Sequence, residues 1–186
     1  GAGIQSLLVT GGDVSRAKLA AFAEWEVDLD WENLKAKKSF NLACLAIEIF
    51  ATNVLPDILL EWEVLYLHDK PMIELGFLVE LPNGYFYRGF IDAVLQHRTM
   101  RTLKVLELKT TKFTNVDPAM YRNSFQGVGY GVILDAIAAE LNAPSEFYVD
   151  YLVYQTGSMN FLPLPFLKTF YQRAKWLDQL KLETKV

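Results

Sequence analysis

The sequence contains little cysteine and little histidine for its length. Of 186 residues, one is a cysteine, Cys44, and two are histidines, His68 and His97. A single thiol cannot form an intramolecular disulfide, and four-thiolate zinc or iron–sulfur sites are excluded for the same reason. Within the apolar run 41–47, we expect Cys44 to be a small buried side chain on a helix. A reducing, cytoplasmic setting is compatible with this cysteine usage.

Excess positive charge and long apolar runs are also absent. The 18 Lys and Arg residues are outnumbered by 22 Asp and Glu, giving a formal net charge of −4, and this excludes a basic nucleic-acid wrapper of the histone or ribosomal type. The uncharged stretch 151–167 contains polar residues and two prolines. We predict two strands around a turn at Gly157 there, and we expect neither a membrane span nor a secretory signal.

The periodicity of apolar residues predicts helices first and strands later. Asp13 is expected to cap a helix that runs to about Glu26, and Asp30 a longer helix that Asn53 and Pro56 end. Strands are predicted at about 60–67, 72–81, 85–96 and 103–110, and a turn at 82–84 favours an antiparallel meander. A helix over 118–141, a strand over 147–155 and a helix over 166–182 follow.

These elements predict an α/β (α+β) fold with a central mixed, largely antiparallel β-sheet flanked by helices. With 52% hydrophobic residues, the length fits one domain spanning 1–186. We divide it into a helical N-terminal part (1–58), a sheet core that includes the long helix (59–165) and a C-terminal helix (166–186).

Two predicted strands carry three charged residues that can converge. Side chains two apart share a strand face, so Glu107 and Lys109 point one way while Leu106 and Leu108 point into an apolar layer. Antiparallel pairing brings Asp92 near Glu107. Two carboxylates and an ammonium suit metal-dependent phosphodiester hydrolysis, because carboxylates bind Mg²⁺ or Mn²⁺ and the ion generates a nucleophilic hydroxide.

The alternative for Glu107 and Lys109 is a solvated ion pair worth less than about 1 kcal/mol. Asp92 weakens this alternative, because an aspartate within an apolar strand is rare unless it is paired, capped or bound to metal.

The sequence around these residues resembles that of the PD-(D/E)XK nucleases. The segments 87–92 (YRGFID) and 106–111 (LELKTT) are similar to the two core strands of the RecB-like, phage-type exonuclease branch. Gln126 and Tyr130 match the glutamine and tyrosine that the branch places four apart on a helix, where both reach one ligand. Without the two strand segments, Gln126 and Tyr130 would be interpreted as an ordinary half-buried helix face. The resemblance covers roughly 60–155.

The resemblance implies a restriction-endonuclease-like core and a Mg²⁺- or Mn²⁺-dependent deoxyribonuclease. Asp92, Glu107 and the backbone carbonyl of Leu108 would bind the metal, and Lys109 would be the catalytic lysine. Gln126 and Tyr130 would contact that lysine or the DNA backbone. The implied partners are DNA and a recombinase, helicase or single-strand-binding protein, in a prokaryotic cell or phage-infected host. No iron–sulfur cluster is expected with one cysteine, and an oligomer is compatible with the family.

The chain departs from many relatives in lacking a histidine on an N-terminal helix as an extra metal ligand. Glu48 is the best substitute, and the alternative is a structural carboxylate with a partner. Glu63 and Glu80 are weaker candidates. Further residues are predicted to form a DNA-binding rim: Arg98, Arg101, Lys112, Tyr121 and Arg122. A solvated loop explains Arg98 and Arg101 equally well.

Two other classes of function compete with a nuclease. One is a non-catalytic DNA-binding or assembly module that retains the fold. The other is a structural interaction domain, which would require Asp92 and Glu107 to lie apart or to be separately paired.

Overall fold

The computed structural model describes residues 1–25, 39–81 and 84–183, and the side chain of residue 183 is not described. The predicted cap Asp30 and the predicted turn residues Pro82 and Asn83 lie outside the described residues.

Four helices form the N-terminal part: α1 (Ala2–Thr10), α2 (Val14–Ala23), α3 (Phe40–Asn53) and α4 (Leu55–Glu61). The Asp13 side chain accepts a hydrogen bond from the Arg16 amide, which confirms the predicted cap of α2. Ser39 caps α3 in the same way through the Leu42 amide. Pro56 lies in the first turn of α4, where a missing amide hydrogen costs nothing, so it begins a helix as well as limiting α3.

The sheet is mixed and largely antiparallel, as predicted. Its strands are β1 (Trp62–Val64), β4 (Ile73–Glu80), β5 (Phe86–His97), β6 (Leu103–Thr111), β7 (Phe147–Gln155) and β8 (Asn160–Lys168), while β2 (Tyr66–Leu67) and β3 (Lys70–Pro71) form a separate hairpin. The order is β1-β5-β6-β7-β8, and β4 also pairs with β5. Only the β6–β7 pairing among these is parallel. The predicted meander is therefore confirmed over β4, β5 and β6.

The remaining helices are α5 (Ala119–Arg122), α6 (Phe125–Leu141) and α7 (Phe170–Glu183). The prediction of a single helix over 118–141 is wrong. The helix is interrupted at Asn123, and a second helix, α6, begins after Ser124, whose side chain caps it. The closing helix begins at Phe170, since residues 166–168 still belong to β8. Cys44 is half-buried, whereas full burial was predicted.

Helices cover both faces of the sheet. α6 packs on one face through Tyr130, Leu134 and their neighbours, and the N-terminal helices pack on the other through Leu7 and Phe50. Gly127, Gly129 and Gly131 let α6 approach the sheet and α7 closely. A Cβ at Gly129 would lie within 2.9 Å of both Tyr87 on β5 and Trp176 on α7, and a Cβ at Gly127 would meet Tyr151 on β7. These contacts set the N-terminal turns of α6 close to β5, β7 and α7.

Within the described ranges, no single helix is long and apolar enough to cross a membrane, although α3 and α4, bent by 44°, meet the length and composition requirements together.

Candidate active site on strands β5 and β6

The regular alternation of side chains is interrupted at Asp92. Ile91 and Ala93 would share a face in a regular strand, yet Ile91 joins the core under α6 and Ala93 joins the core under the N-terminal helices. β4 changes in the same way between Ile73 and Leu75, and Glu74 between them has a φ of 48°. Such irregularities re-aim side chains and are common beside active sites.

Asp92 is aimed across the sheet towards β6 at this point. Its Oδ2 accepts a hydrogen bond of 2.7 Å from the backbone amide of Leu108. This hydrogen bond holds the Asp92 carboxylate beside Leu108, the residue between Glu107 and Lys109. The register agrees, because Ala93 pairs with Leu106 immediately beside this contact.

Glu107 is a buried carboxylate with one unsatisfied oxygen. The residue is 4% exposed, and its Oε1 lies 2.7 Å from Lys109 Nζ. Its Oε2 has no hydrogen-bond partner among the described residues. Burial raises the pKa of Glu107, Lys109 opposes this rise, and the nearby charge of Asp92 adds to it. The Asp92 carboxylate is thus close enough to disfavour the ionisation of Glu107.

A chain of hydrogen bonds joins Lys109 to helix α6. Lys109 Nζ donates to Gln126 Oε1 at 3.3 Å, and Gln126 Nε2 donates to the Tyr130 hydroxyl at 2.7 Å. The hydroxyl donates in turn to the Phe90 carbonyl oxygen at 2.9 Å. Gln126 therefore contacts Lys109 directly, and Tyr130 is linked to Lys109 through Gln126.

Tyr130 is held as a neutral hydrogen-bond donor. Burial raises its pKa far above the usual value, and the negative charges of Glu107 and Asp92 raise it further. The residue is 2% exposed. A protonated hydroxyl can donate to the Phe90 carbonyl oxygen at neutral pH.

The donor set at this site fits one hard divalent cation. Among the described residues, no group of three or more His, Cys, Asp or Glu side chains is arranged to hold a metal ion. Mg²⁺, however, keeps several waters and is usually held by one or two carboxylates together with substrate phosphate. The unsatisfied Glu107 Oε2 is an oxygen that a cation would satisfy. Asp92, Glu107 and the Leu108 carbonyl remain the candidate ligands.

The structure does not bring Glu48 to this pair. Its carboxylate pairs with Lys18 on α2 and is 49% exposed. α3 buries Ile47 and Phe50 against the sheet, which directs Glu48 towards α2 instead. The prediction of Glu48 as a third ligand is therefore unsupported, and the alternative, a structural carboxylate with a partner, describes its observed contacts.

Neither the weaker acid candidates nor the two histidines have a described contact with Asp92 or Glu107. Glu63 pairs with Arg98 at 2.8 Å, and Glu80 is exposed near the end of β4. His68 Nε2 lies 3.3 Å from Glu140. His97 Nδ1 accepts hydrogen bonds from the backbone of the turn that follows it.

The predicted basic rim divides into two groups. Arg98 and Arg101 flank Glu63 before β6 begins, at the opposite end of this strand from Lys109. Leu103 and Lys109 are six residue steps apart along the strand, about 20 Å. The other group follows the Lys109 end of β6 along the chain: Lys112 just beyond β6, with Tyr121 and Arg122 on α5. Arg98 and Arg101 thus match the alternative of a solvated loop.

Sequence reasoning missed two polar residues at the site, Gln5 and Glu74. Gln5 is buried on α1, and its Nε2 lies 3.0 Å from Glu74 Oε1 and 3.4 Å from the Asp92 carbonyl oxygen. It links the N-terminal helix to the irregular point of β4 and β5. The sequence signal for Gln5 was a polar residue among the apolar residues of α1, a helix that we did not predict from the sequence.

No family model matches this chain, and no curated protein matches it. Among solved structures, the chain is similar to one described as "Crystal structure of SSO0001", with a TM-score of 0.36 and 16% sequence identity, over 93% of this chain and 85% of that chain. A similarity of this degree supports no argument about function.

Proposed function

We propose that the protein is a Mg²⁺- or Mn²⁺-dependent DNA nuclease of the PD-(D/E)XK type, an exonuclease acting in DNA recombination, repair or phage DNA processing. The observation that carries the proposal is the convergence of Asp92, Glu107 and Lys109 with Gln126 and Tyr130 in one hydrogen-bonded site. The mixed sheet beneath them supports a restriction-endonuclease-like core.

Asp92 and Glu107, with the carbonyl of Leu108, would hold the cation. When bound, the ion supplies a hydroxide at neutral pH and neutralises negative charge on the phosphate. The buried Glu107 carboxylate favours this arrangement, since its second oxygen has no other described partner. A cation would also relieve the repulsion between Glu107 and Asp92, which contributes to the raised pKa of Glu107.

Lys109 is the only described cation paired directly with the buried carboxylate. Its ammonium group is partly exposed and is therefore accessible to a phosphodiester at the surface. There it orients the attacking water or stabilises the negative charge that develops on the phosphoryl oxygens. Gln126 is a positioning residue, because it accepts a hydrogen bond from Lys109 and is itself fixed by Tyr130.

A cleavage assay on linear and circular DNA tests the proposal. The purified protein is incubated with 5′-labelled linear DNA and with closed circular DNA, in Mg²⁺ or Mn²⁺ and in EDTA. We expect metal-dependent loss of the linear substrate and no loss in EDTA. Resistance of the circle would identify an exonuclease, and nicking would identify an endonuclease. Binding of DNA without cleavage in either metal would overturn the proposal in favour of a non-catalytic module.

A further inference from the structure

The outer surface of the β4–β5 hairpin carries an unusual row of exposed side chains. Phe86, Arg88 and Phe90 alternate with inward-facing residues along β5, so the three share one face. Phe86 is 60% exposed and Phe90 is 71% exposed, and Arg88 is exposed as well. We call these three residues the hairpin row.

The inward-facing residues of the same strand account for the stability of the hairpin. Tyr87 packs against Phe77 and Trp176, with ring centroids 5.0 Å apart in each case. Ile91 is fully buried. The hairpin row makes no comparable described contact with the core, so core packing does not explain two exposed phenylalanines on one strand face.

The neighbouring strand leaves the row open. Gly76 is the partner of Phe90, and a Cβ at Gly76 would lie 3.2 Å from the Phe90 ring, so the ring lies across the glycine. Leu78 is the partner of Arg88 and is 66% exposed. The result is a shallow apolar strip with one cation at its centre.

Arg88 has no carboxylate partner among the described residues, unlike Arg98, Arg101 and Arg173. Glu80 stands opposite Phe86 at the far end of the row and Glu74 beside Asp92 at the near end. The positive charge at the centre of the row is therefore available to an anion from solution.

The row is adjacent to the candidate active site along β5. Phe90 is two residues from Asp92, and its carbonyl oxygen is the group that holds the Tyr130 hydroxyl. The row points away from Tyr87 and Ile91, so it lies on the sheet face opposite α6, and it adjoins the site through the Phe90 backbone and Asp92.

We propose that the hairpin row binds a single-stranded segment of nucleic acid, with bases stacked on Phe86 and Phe90 and a phosphate paired with Arg88. Exposed aromatic rings interleaved with a cation are the arrangement that binds single strands, because every unpaired base offers a face for stacking. Bases in a duplex are stacked on one another and cannot use the row. The site deepens the proposed function by selecting single-stranded substrate, but the binding requires no metal.

The first experiment measures binding in EDTA, so that cleavage does not intervene. Fluorescence anisotropy compares a 20-nucleotide labelled oligothymidine with a 20-base-pair duplex. We expect Phe90→Ala and Phe86→Ala each to weaken binding of the oligothymidine about tenfold, within the range measured for base–aromatic stacking, and to leave duplex binding unchanged. Phe90→Trp should retain the affinity.

Arg88→Gln should lower the slope of log affinity against log salt by about 0.7, the value for one phosphate contact on a single strand. Tyr171→Ala and Arg16→Gln are matched controls, because both residues are exposed on helices and neither belongs to the hairpin. Circular dichroism checks that each variant is folded. Unchanged affinity and salt slope in the folded row variants, or an equal effect of the controls, would overturn the inference.

Two further readouts separate this inference from the proposed function. In Mn²⁺, Phe86→Ala and Arg88→Gln should slow degradation of the oligothymidine but not hydrolysis of a p-nitrophenyl ester of thymidine 5′-phosphate, which is too short to reach the row. If the wild type cleaves neither substrate while the row variants still weaken binding, the nuclease proposal fails and the binding site stands. If the row variants change only the sedimentation coefficient, the row is a contact between copies of the chain and the inference fails.

Discussion

The Asp92 carboxylate accepts a 2.7 Å hydrogen bond from the backbone amide of Leu108, and this contact ties β5 to β6 at the residue between Glu107 and Lys109. The Asp92 side chain here takes the place of a backbone carbonyl as the acceptor of a hydrogen bond between the two strands. The irregular backbone at Asp92 and at Glu74 is what makes this possible. The carboxylate and the Glu107–Lys109 pair are consequently held on one rigid support.

Glu107→Gln is expected to stabilise the protein in the absence of divalent metal. Burial is the largest cause of the raised pKa of Glu107 and outweighs the ion pair with Lys109. The folded state therefore holds a proton more tightly than the unfolded state, and the wild type loses stability as pH rises from about 4.5 through the raised pKa. Chemical denaturation in EDTA, between pH 4 and pH 8, should show the advantage of the variant growing with pH.

Adding Mn²⁺ should reverse this order, because an ion that binds only the folded wild type stabilises it by mass action. Asp178→Asn is a suitable control, since that carboxylate is exposed on α7. A Glu107→Gln variant that is less stable than the wild type at every pH would show that the ion pair, and not burial, dominates.

Tyr130→Phe should cost about 1–3 kcal/mol of unfolding free energy, because the Phe90 carbonyl and Gln126 lose their buried partner. We expect cleavage to fall with it, since Gln126 then no longer holds Lys109 in one position. Tyr148→Phe is the control, as Tyr148 is 40% exposed. Thermal melts and initial cleavage rates measure the two effects, and wild-type stability together with wild-type activity would contradict the role given to the hydroxyl.

Glu48→Gln should leave metal-dependent cleavage unchanged, because Glu48 pairs with Lys18 and not with the candidate ligands. A loss of unfolding free energy up to about 0.5–1 kcal/mol is expected from the broken surface pair. The same cleavage assay with Glu63→Gln provides a second carboxylate outside the site. A large loss of cleavage in Glu48→Gln alone would restore Glu48 as a metal ligand.

Short-range patterns in the sequence predicted much of this arrangement. The spacing of Glu107 and Lys109 on a strand, and of Gln126 and Tyr130 on a helix, each follows from one repeating geometry. Antiparallel pairing through a short turn then placed Asp92 beside Glu107, and the structure has that pairing.

Features that depend on distant parts of the chain were not predictable in the same way. The partner of Glu48 lies on another helix, 30 positions earlier in the sequence. The left-handed φ of Glu74 has no sequence signature, because glycine or asparagine is the usual residue there. The break at Asn123 separates two segments with helical patterns, and only the cap at Ser124 marks the restart.

The central claim is that Asp92, Glu107 and Lys109 form one metal-dependent phosphodiesterase site. The most direct test is the initial rate of Mg²⁺-dependent degradation of end-labelled DNA by Asp92→Asn and Lys109→Ala, compared with the wild type and Glu63→Gln. Asparagine can still accept the bond from Leu108, so Asp92→Asn removes charge while keeping the strand contact. We predict that both site variants remain folded and lose at least about 10²- to 10³-fold in rate, while Glu63→Gln retains it; folded site variants that degrade DNA at the wild-type rate would contradict the account.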